Sequence, residues 1–244
     1  MSHHLVETRA LSFDYPDGTP ALRDVDLRFD HGEAVAIVGG NGAGKSTLLL
    51  HFNGLLLPTR GEVRIGELPV TAATRAQVQC TVGFVFQDAD DQLFMPTVRE
   101  DVAFGPLNLG LTAEQAEERV SAALEEVGIA HLAARAPYRL SGGEKRAVAI
   151  AGVLAMRPDV LVLDEPSAGL DPLARRRLIG LLRGFTHTRV IATHDLDLVL
   201  DVCSRVVVLH EGRVAADGAP AAIFADAELL ARCRLEPPLR WQTA

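Results

Sequence analysis

Apolar and polar positions alternate through residues 6–29, broken by the turn signals Pro16-Asp17-Gly18 and Asp30-His31-Gly32. A two-residue period with such punctuation predicts antiparallel strands, here a small sheet beside the main core. The pattern then changes. Ala34-Val35-Ala36-Ile37-Val38 is a continuous apolar run that ends in glycines and leads into a helical pattern over residues 46–52. A strand buried on both faces, a glycine-rich loop and a helix account for that order. Similar runs at 82–86, 160–163, 189–192 and 206–209 are separated by helical stretches. They predict an α/β core with a mostly parallel sheet and helices on both faces. Residues 88–156 read as helical, with 114–127 amphipathic, and are expected to form an inserted helical lobe. One domain follows, with a core and β subdomain over about 1–87 and 157–218, the lobe between them, and a tail over 219–244. The tail reads as one or two short helices stopped by Glu236-Pro237-Pro238.

Composition narrows the picture. A chain of 244 residues that is 48% apolar can bury a large core in a single domain. Its net charge of −8 argues against a sequence-independent grip on nucleic acid, which needs a basic face. Cys80, Cys203 and Cys233 are scattered without metal-ligand or paired spacing, so a reducing compartment with free thiols is expected. The start, Met1-Ser2-His3-His4, shows no charged leader with an apolar stretch, and no run approaches the roughly 20 apolar residues of a membrane span. Any membrane role is therefore expected to come through a partner, and His3 and His4 are read as an exposed terminus, not a metal site.

The chemistry begins in the loop Gly39-Gly40-Asn41-Gly42-Ala43-Gly44-Lys45-Ser46-Thr47, a G-x-x-x-x-G-K-[ST] pattern in strand–loop–helix context. Its glycines let backbone N–H groups converge on phosphates, and the following helix adds its positive end. Lys45 is expected at the outer phosphates, Thr47 at an inner one, and Ser46 as a hydroxyl ligand to magnesium. At the end of the run 160–163, adjacent Asp164 and Glu165 need a nearby cation to be tolerated in a buried place. Asp164 is expected to hold magnesium through water and Glu165 to polarise the attacking water. Ser141-Gly142-Gly143-Glu144 is a capping box, serine at the N-cap and glutamate three residues on, ahead of a helix read over 147–156.

The phosphate loop, Leu140-Ser141-Gly142-Gly143-Glu144 and Val160-Leu161-Val162-Leu163-Asp164-Glu165-Pro166 together resemble the nucleotide-binding subunit of an ATP-binding cassette (ABC) transporter, over about residues 6–216. That resemblance implies a P-loop NTPase of ABC-ATPase type with an antiparallel β subdomain and an inserted α-helical subdomain. It implies ATP and Mg2+ as cofactors, His194 as the switch that senses the terminal phosphate, and Tyr15 as the ring that stacks on adenine. It places Gln87 at magnesium and at the joint to the lobe, and Asp171 in the loop between the two sites of a pair. Such cassettes pair head to tail, so Ser141, Gly142 and Gly143 would cover the nucleotide of a second ATPase subunit. Leu93, Phe94, Met95 and Phe104 resemble the groove that grips a helix of a transmembrane scaffold.

This stretch, with residues 151–158, resembles the ATPases of energy-coupling factor (ECF) transporters, above all those for cobalt uptake. The implied partners are the scaffold and a membrane capture subunit, at the cytoplasmic face of the membrane; nickel or a vitamin is the alternative cargo. A rival of another class is an ABC ATPase acting on nucleic acid or the ribosome, for which Arg175-Arg176-Arg177 is the only opening. That run reads better as a solvated surface. A small P-loop kinase would have no use for residues 140–144.

Overall fold

The computed structural model describes residues 6–242; His3 and His4, and the expectation attached to them, lie outside the described residues. Two sheets organise the chain. The first joins β1 (Val6–Asp14), β2 (Pro20–Phe29), β4 (Arg60–Ile65) and the short β5 (Leu68–Pro69) in the order β2-β1-β4-β5, all antiparallel. The second contains β3 (Ala34–Val38), β6 (Val82–Val85), β7 (Val160–Asp164), β8 (Thr188–Ala192), β9 (Arg205–His210) and β10 (Arg213–Gly218) in the order β10-β9-β3-β8-β7-β6. Its neighbours run parallel except β9 and β10, which form an antiparallel pair at the edge.

The continuous apolar runs are explained by the layers on either side. Val160 and Val162 of β7 face the core shared with the antiparallel sheet and helix α1 (Lys45–Phe52), where Phe29 meets Phe52 edge to face. Leu161 and Leu163 face the opposite core, built with the helical lobe. Successive strand residues point to opposite faces, so a strand covered on both must be apolar throughout. Burying one such side chain contributes about 1.5–3 kcal/mol. A third core lies under Ala36, Val38, Val206 and Val208 and is closed by α7 (Leu196–Val202), α8 (Pro220–Ala225) and α9 (Ala227–Arg232).

The lobe is made of α3 (Val98–Asn108), α4 (Ala113–Val127) and α5 (Gly142–Ala155). Capping boxes open α4 at Thr112/Gln115 and α5 at Ser141/Glu144. Helix α5 thus starts at Gly142, five residues before the expected 147, because the cap sets the start and the two glycines are already helical. The apolar pattern, which appears only from Ala147, reports the packed face and not the first turn. The hairpin β4–β5, helix α2 (Arg75–Thr81), strand β10 and helix α6 (Pro172–Gly184) complete the fold. Among the described residues no helix is long and apolar enough to cross a membrane.

Candidate active site

Four carboxyl ends of the parallel strands converge: the loop after β3, Asp164-Glu165 after β7, Thr193-His194 after β8, and Gln87 two residues past β6. The rim where such strands end is where open α/β sheets bind ligands. Here it forms a cleft of about 840 Å3 lined by Tyr15, Asn41–Thr47, Gln87, Glu165 and His194.

The loop's shape depends on absent side chains. Gly39 has φ +155°, and a Cβ there would lie 2.3 Å from the carbonyl oxygen of Leu209; at Gly44, φ +102°, it would lie 2.8 Å from that of Ala21. Both neighbours are backbone and cannot step aside. Lys45, 7% exposed, donates from Nζ to the carbonyls of Gly39 at 2.9 Å and Gly40 at 3.3 Å, and lies 3.2 Å from His194 Nε2. An ammonium only donates, so His194 Nε2 must be the acceptor, which puts the imidazole proton on Nδ1. Burial lowers the Lys45 pKa, and the nearby Glu165 and Asp164 charges oppose that shift. Thr47 is held from two sides: its hydroxyl is 2.8 Å from the Tyr15 hydroxyl, and its carbonyl is 2.7 Å from His51 Nδ1. Tyr15 is exposed (38%) at the cleft rim, edge-on to Phe13.

Across the cleft, the carboxylates are under-satisfied. Asp164 is 5% exposed, takes a hydrogen bond from Ser46, and leaves Oδ1 buried without a partner. Burial raises its pKa against the lowering effects of Ser46, Lys45, Arg146 and His194. Glu165 has φ +46°, the left-handed region that a side chain disfavours, with its N–H on the carbonyl of Ala192 at 2.8 Å. Its Oε2 accepts from Thr193 Oγ1 and the His194 N–H, each at 3.2 Å. Its Oε1 has no hydrogen bond and sits 3.3 Å from His194 Nε2. Backbone strain of this kind costs on the order of 1–3 kcal/mol, and it turns the Glu165 carboxylate into the cleft.

Comparison with known proteins identifies the architecture. The sequence model of the family described as ABC transporter matches residues 22–168, more than half of the chain. The chain belongs to the ABC transporter family. It is 48% identical over 240 residues to the energy-coupling factor transporter ATP-binding protein EcfA of Methanocaldococcus jannaschii, covering 96% of this chain and 86% of that one. It is 51% identical over 239 residues to the energy-coupling factor transporter ATP-binding protein EcfA of Methanothermobacter thermautotrophicus, covering 96% and 77%. Among solved structures, cbiO1 of Clostridium perfringens, part of the ABC transporter complex cbiONQ, matches with TM-score 0.82 at 41% identity over 94% of each chain. The dimeric cassette MJ0796 bound to ADP and Pi matches with TM-score 0.81 at 29% identity, over 88% of this chain and 98% of that one. The chain is an ATP-binding ABC ATPase with the cassette fold.

Ser141, Gly142 and Gly143 stand apart from the cassette's own cleft. Ser141 and Gly143 line a separate hollow against Leu170, Asp171 and α6. The Ser141 hydroxyl is engaged by its own capping box, 2.9 Å from Glu144 Oε2. Asp171 is the N-cap of α6, accepting from the N–H groups of Leu173 and Ala174 at 2.8 Å each.

One expectation is corrected. The Arg175–Arg177 run is not simply a solvated face, because Arg175 clasps Asp195, next to His194, with bonds of 2.9 and 3.1 Å. Arg176 and Arg177 remain exposed. The sequence reading also passed over Arg146, which is 7% exposed and donates from α5 to the carbonyls of Phe86 and Gln87. Gln92 completes that joint, accepting from the Phe86 N–H at 3.3 Å and donating to the Ala149 carbonyl at 3.1 Å. The available signal was a lone arginine on the apolar side of a helix, which a buried position tolerates only with acceptors aimed at it.

Proposed function

We propose that this chain is the ATP-hydrolysing subunit of an ECF-type importer, driving uptake of a cobalt ion by head-to-tail closure of two cassettes beneath a transmembrane scaffold. The observation that carries the catalytic half is the chain of contacts Lys45–His194–Glu165 in one cleft. All three Lys45 donors are occupied by groups of the protein itself, two loop carbonyls and His194. Phosphate oxygens would replace them and release His194 toward the terminal phosphate. Glu165, held on Oε2 and open on Oε1, is placed to take a proton from water as its oxygen attacks phosphorus and the bond to ADP breaks.

Ser46, Asp164 and Gln87 are hard oxygen donors lining one shared hollow, and the orphaned Asp164 Oδ1 fits a cation reached directly or through water. Bound there, Mg2+ would offset charge on the phosphates. Closure with a second copy would bring that copy's Ser141–Gly143 over this cleft, since in one chain they lie elsewhere.

Partner choice rests on a groove between core and lobe. Phe94, 62% exposed, and Phe104, 42% exposed, meet edge to face at 4.8 Å beside Leu55, Leu93 and Met156. Met95 is not among the residues lining it. Large exposed aromatics at a joint suit a helix-in-groove contact with the scaffold. The EcfA and cbiO1 likenesses support the ECF reading, and the sequence resemblance favours cobalt over nickel or a vitamin. The subunit would then sit peripherally on the cytoplasmic face of the membrane.

Isolation of the native complex in mild detergent, with mass spectrometry of the co-purifying integral proteins, tests this. Recovery of a scaffold and a small capture subunit is expected, and the capture subunit's cargo decides among cobalt, nickel and vitamin. Phe94→Asp should abolish transport while basal ATPase stays within about twofold, because Phe94 is exposed and does not line the cleft. Recovery with only ribosomal or DNA-associated proteins would sink the transport reading.

A further inference from the structure

Residues 233–242 run back across the core, and their contacts fall on two parts of the active site. At one end, this segment rests on the phosphate loop: a Cβ at Gly40 would lie 3.4 Å from both Arg234 Cβ and the Cys233 carbonyl oxygen. At the other, it grips α7, the helix that begins two residues after His194. The carboxylate of Asp197 accepts from the Leu239 N–H at 3.1 Å, the Arg240 N–H at 3.3 Å and Arg240 Nε at 2.7 Å. The remaining arm of Arg240 reaches the Asp197 carbonyl and Asp201 Oδ2, both at 3.0 Å. Trp241 anchors the segment edge-on to Phe224 of α8. Arg234, Arg240 and His194 line one shallow cleft.

The same end of α7 is also held by Arg175, whose bonds to Asp195 brace the residue next to His194. The first turn of α7 is thus clasped by two arginines, one from α6 and one from the crossing segment. Two carboxylates bridged by one planar guanidinium, with backbone N–H groups added, fix orientation better than a single exposed ion pair does.

We propose that Arg240 is a positioning residue for His194, and that residues 233–242 act as a strap holding the His194 turn at a set distance from the phosphate loop. Arg240 touches no part of the cleft that would hold the phosphates; it acts through Asp197 and Asp201. The proposal rests on the reading of His194 as the phosphate-sensing residue. If it holds, loosening the strap leaves ATP binding intact and slows the step that needs His194 in register. Small displacements of reacting groups carry large rate penalties.

The test is steady-state ATPase of the purified complex carrying Arg240→Ala or Arg240→Lys, with hydrogen exchange of the 193–202 segment. For Arg240→Ala, kcat is expected to fall roughly 3–10-fold with KM for ATP within about twofold of the parent, while exchange in 193–202 accelerates. Arg240→Lys, which keeps the charge, should recover part of kcat. Arg183→Ala is the structural control. Arg183 bonds α7 at its far end only, donating to the Asp201 carbonyl at 2.8 Å and pairing with Asp201 Oδ1 at 3.6 Å; it shares Asp201 with Arg240 but not Asp197, so its loss should leave kcat unchanged if the Asp197 end of the clasp is what holds His194. Parent-like turnover in Arg240→Ala would overturn the proposal, as would a fall in kcat with unaltered exchange at 193–202. His194→Ala separates the two levels. If it hydrolyses ATP at the parent rate, the underlying reading of His194 fails; if it is inactive while Arg240→Ala is normal, only the strap fails.

Discussion

The cleft at the strand ends and the turn at Ser141–Gly143, which we propose meets the nucleotide of a second copy, solve the polar-group problem in opposite ways. The cleft is buried and unfinished: Asp164 Oδ1 and Glu165 Oε1 have no hydrogen bonds, Glu165 sits at positive φ, and Lys45 is turned back on its own loop. The turn is exposed and closed on itself, with Ser141 and Glu144 satisfying each other. An unfinished buried site stores cost that a ligand can relieve, whereas a self-satisfied exposed turn costs nothing while it waits. Such a division suits a site assembled from two chains. In the proposed pair, each copy would keep the strained, charge-bearing half preformed and lend the quiet half to its partner.

The largest test of that contrast lies in the cleft. Lys45→Ala should lose ATP binding in an equilibrium binding assay, since no other cation on the loop replaces it. Glu165→Gln should keep binding, drive pairing and cut hydrolysis by about 100-fold or more, the scale of a lost general base. A Glu165→Gln protein turning over at the parent rate would remove Glu165 from that role.

Ser141→Ala probes the quiet half. Hydrolysis by the paired cassettes should slow about tenfold, ATP binding to the separate chain should not change, and stability should drop about 1 kcal/mol through the lost cap. Equal loss of monomer binding would mean that the two halves are not divided as described.

The smallest effect concerns Asp164. Because burial raises its pKa, the folded chain holds that proton more tightly than the unfolded chain does. Stability therefore declines as pH rises from the ordinary carboxylate range through the raised value, and at neutral pH the ionised group is a net cost. Asp164→Asn should stabilise the nucleotide-free chain at pH 7 by ~1 kcal/mol, and not at pH values below the ordinary carboxylate range. Adding Mg2+ to the ATP-bound chain should raise the thermal stability of the parent and do so less in the variant. A variant less stable than the parent at pH 7 would show that Asp164 is not an under-compensated charge.

Much of this molecule was legible because its signals are local. Five apolar residues before a glycine loop define β3 whatever surrounds them, and Ser141/Glu144 announce a helix start within four residues. The strands β4, β5 and β10 were not read, because β5 is two residues long and β4 and β10 mix charged, small and apolar residues with too little periodicity to register in the sequence. The Arg175 run reads as surface for a related reason: nothing in three consecutive arginines says that one of them finds Asp195 twenty residues on.

The sequence by itself determined the phosphate loop, the carboxylates of Asp164 and Glu165, and the layered α/β core, since each depends on residue type and short-range spacing. Only the tertiary structure decided that Glu165 is strained, that Lys45, His194 and Glu165 form one line of contacts, that Arg146 fastens Gln87 to the lobe, and that Arg240 reaches α7. Those facts depend on which strand ends meet and on where a buried charge finds its acceptors. Distance in space, which spacing along the chain does not encode, settles both.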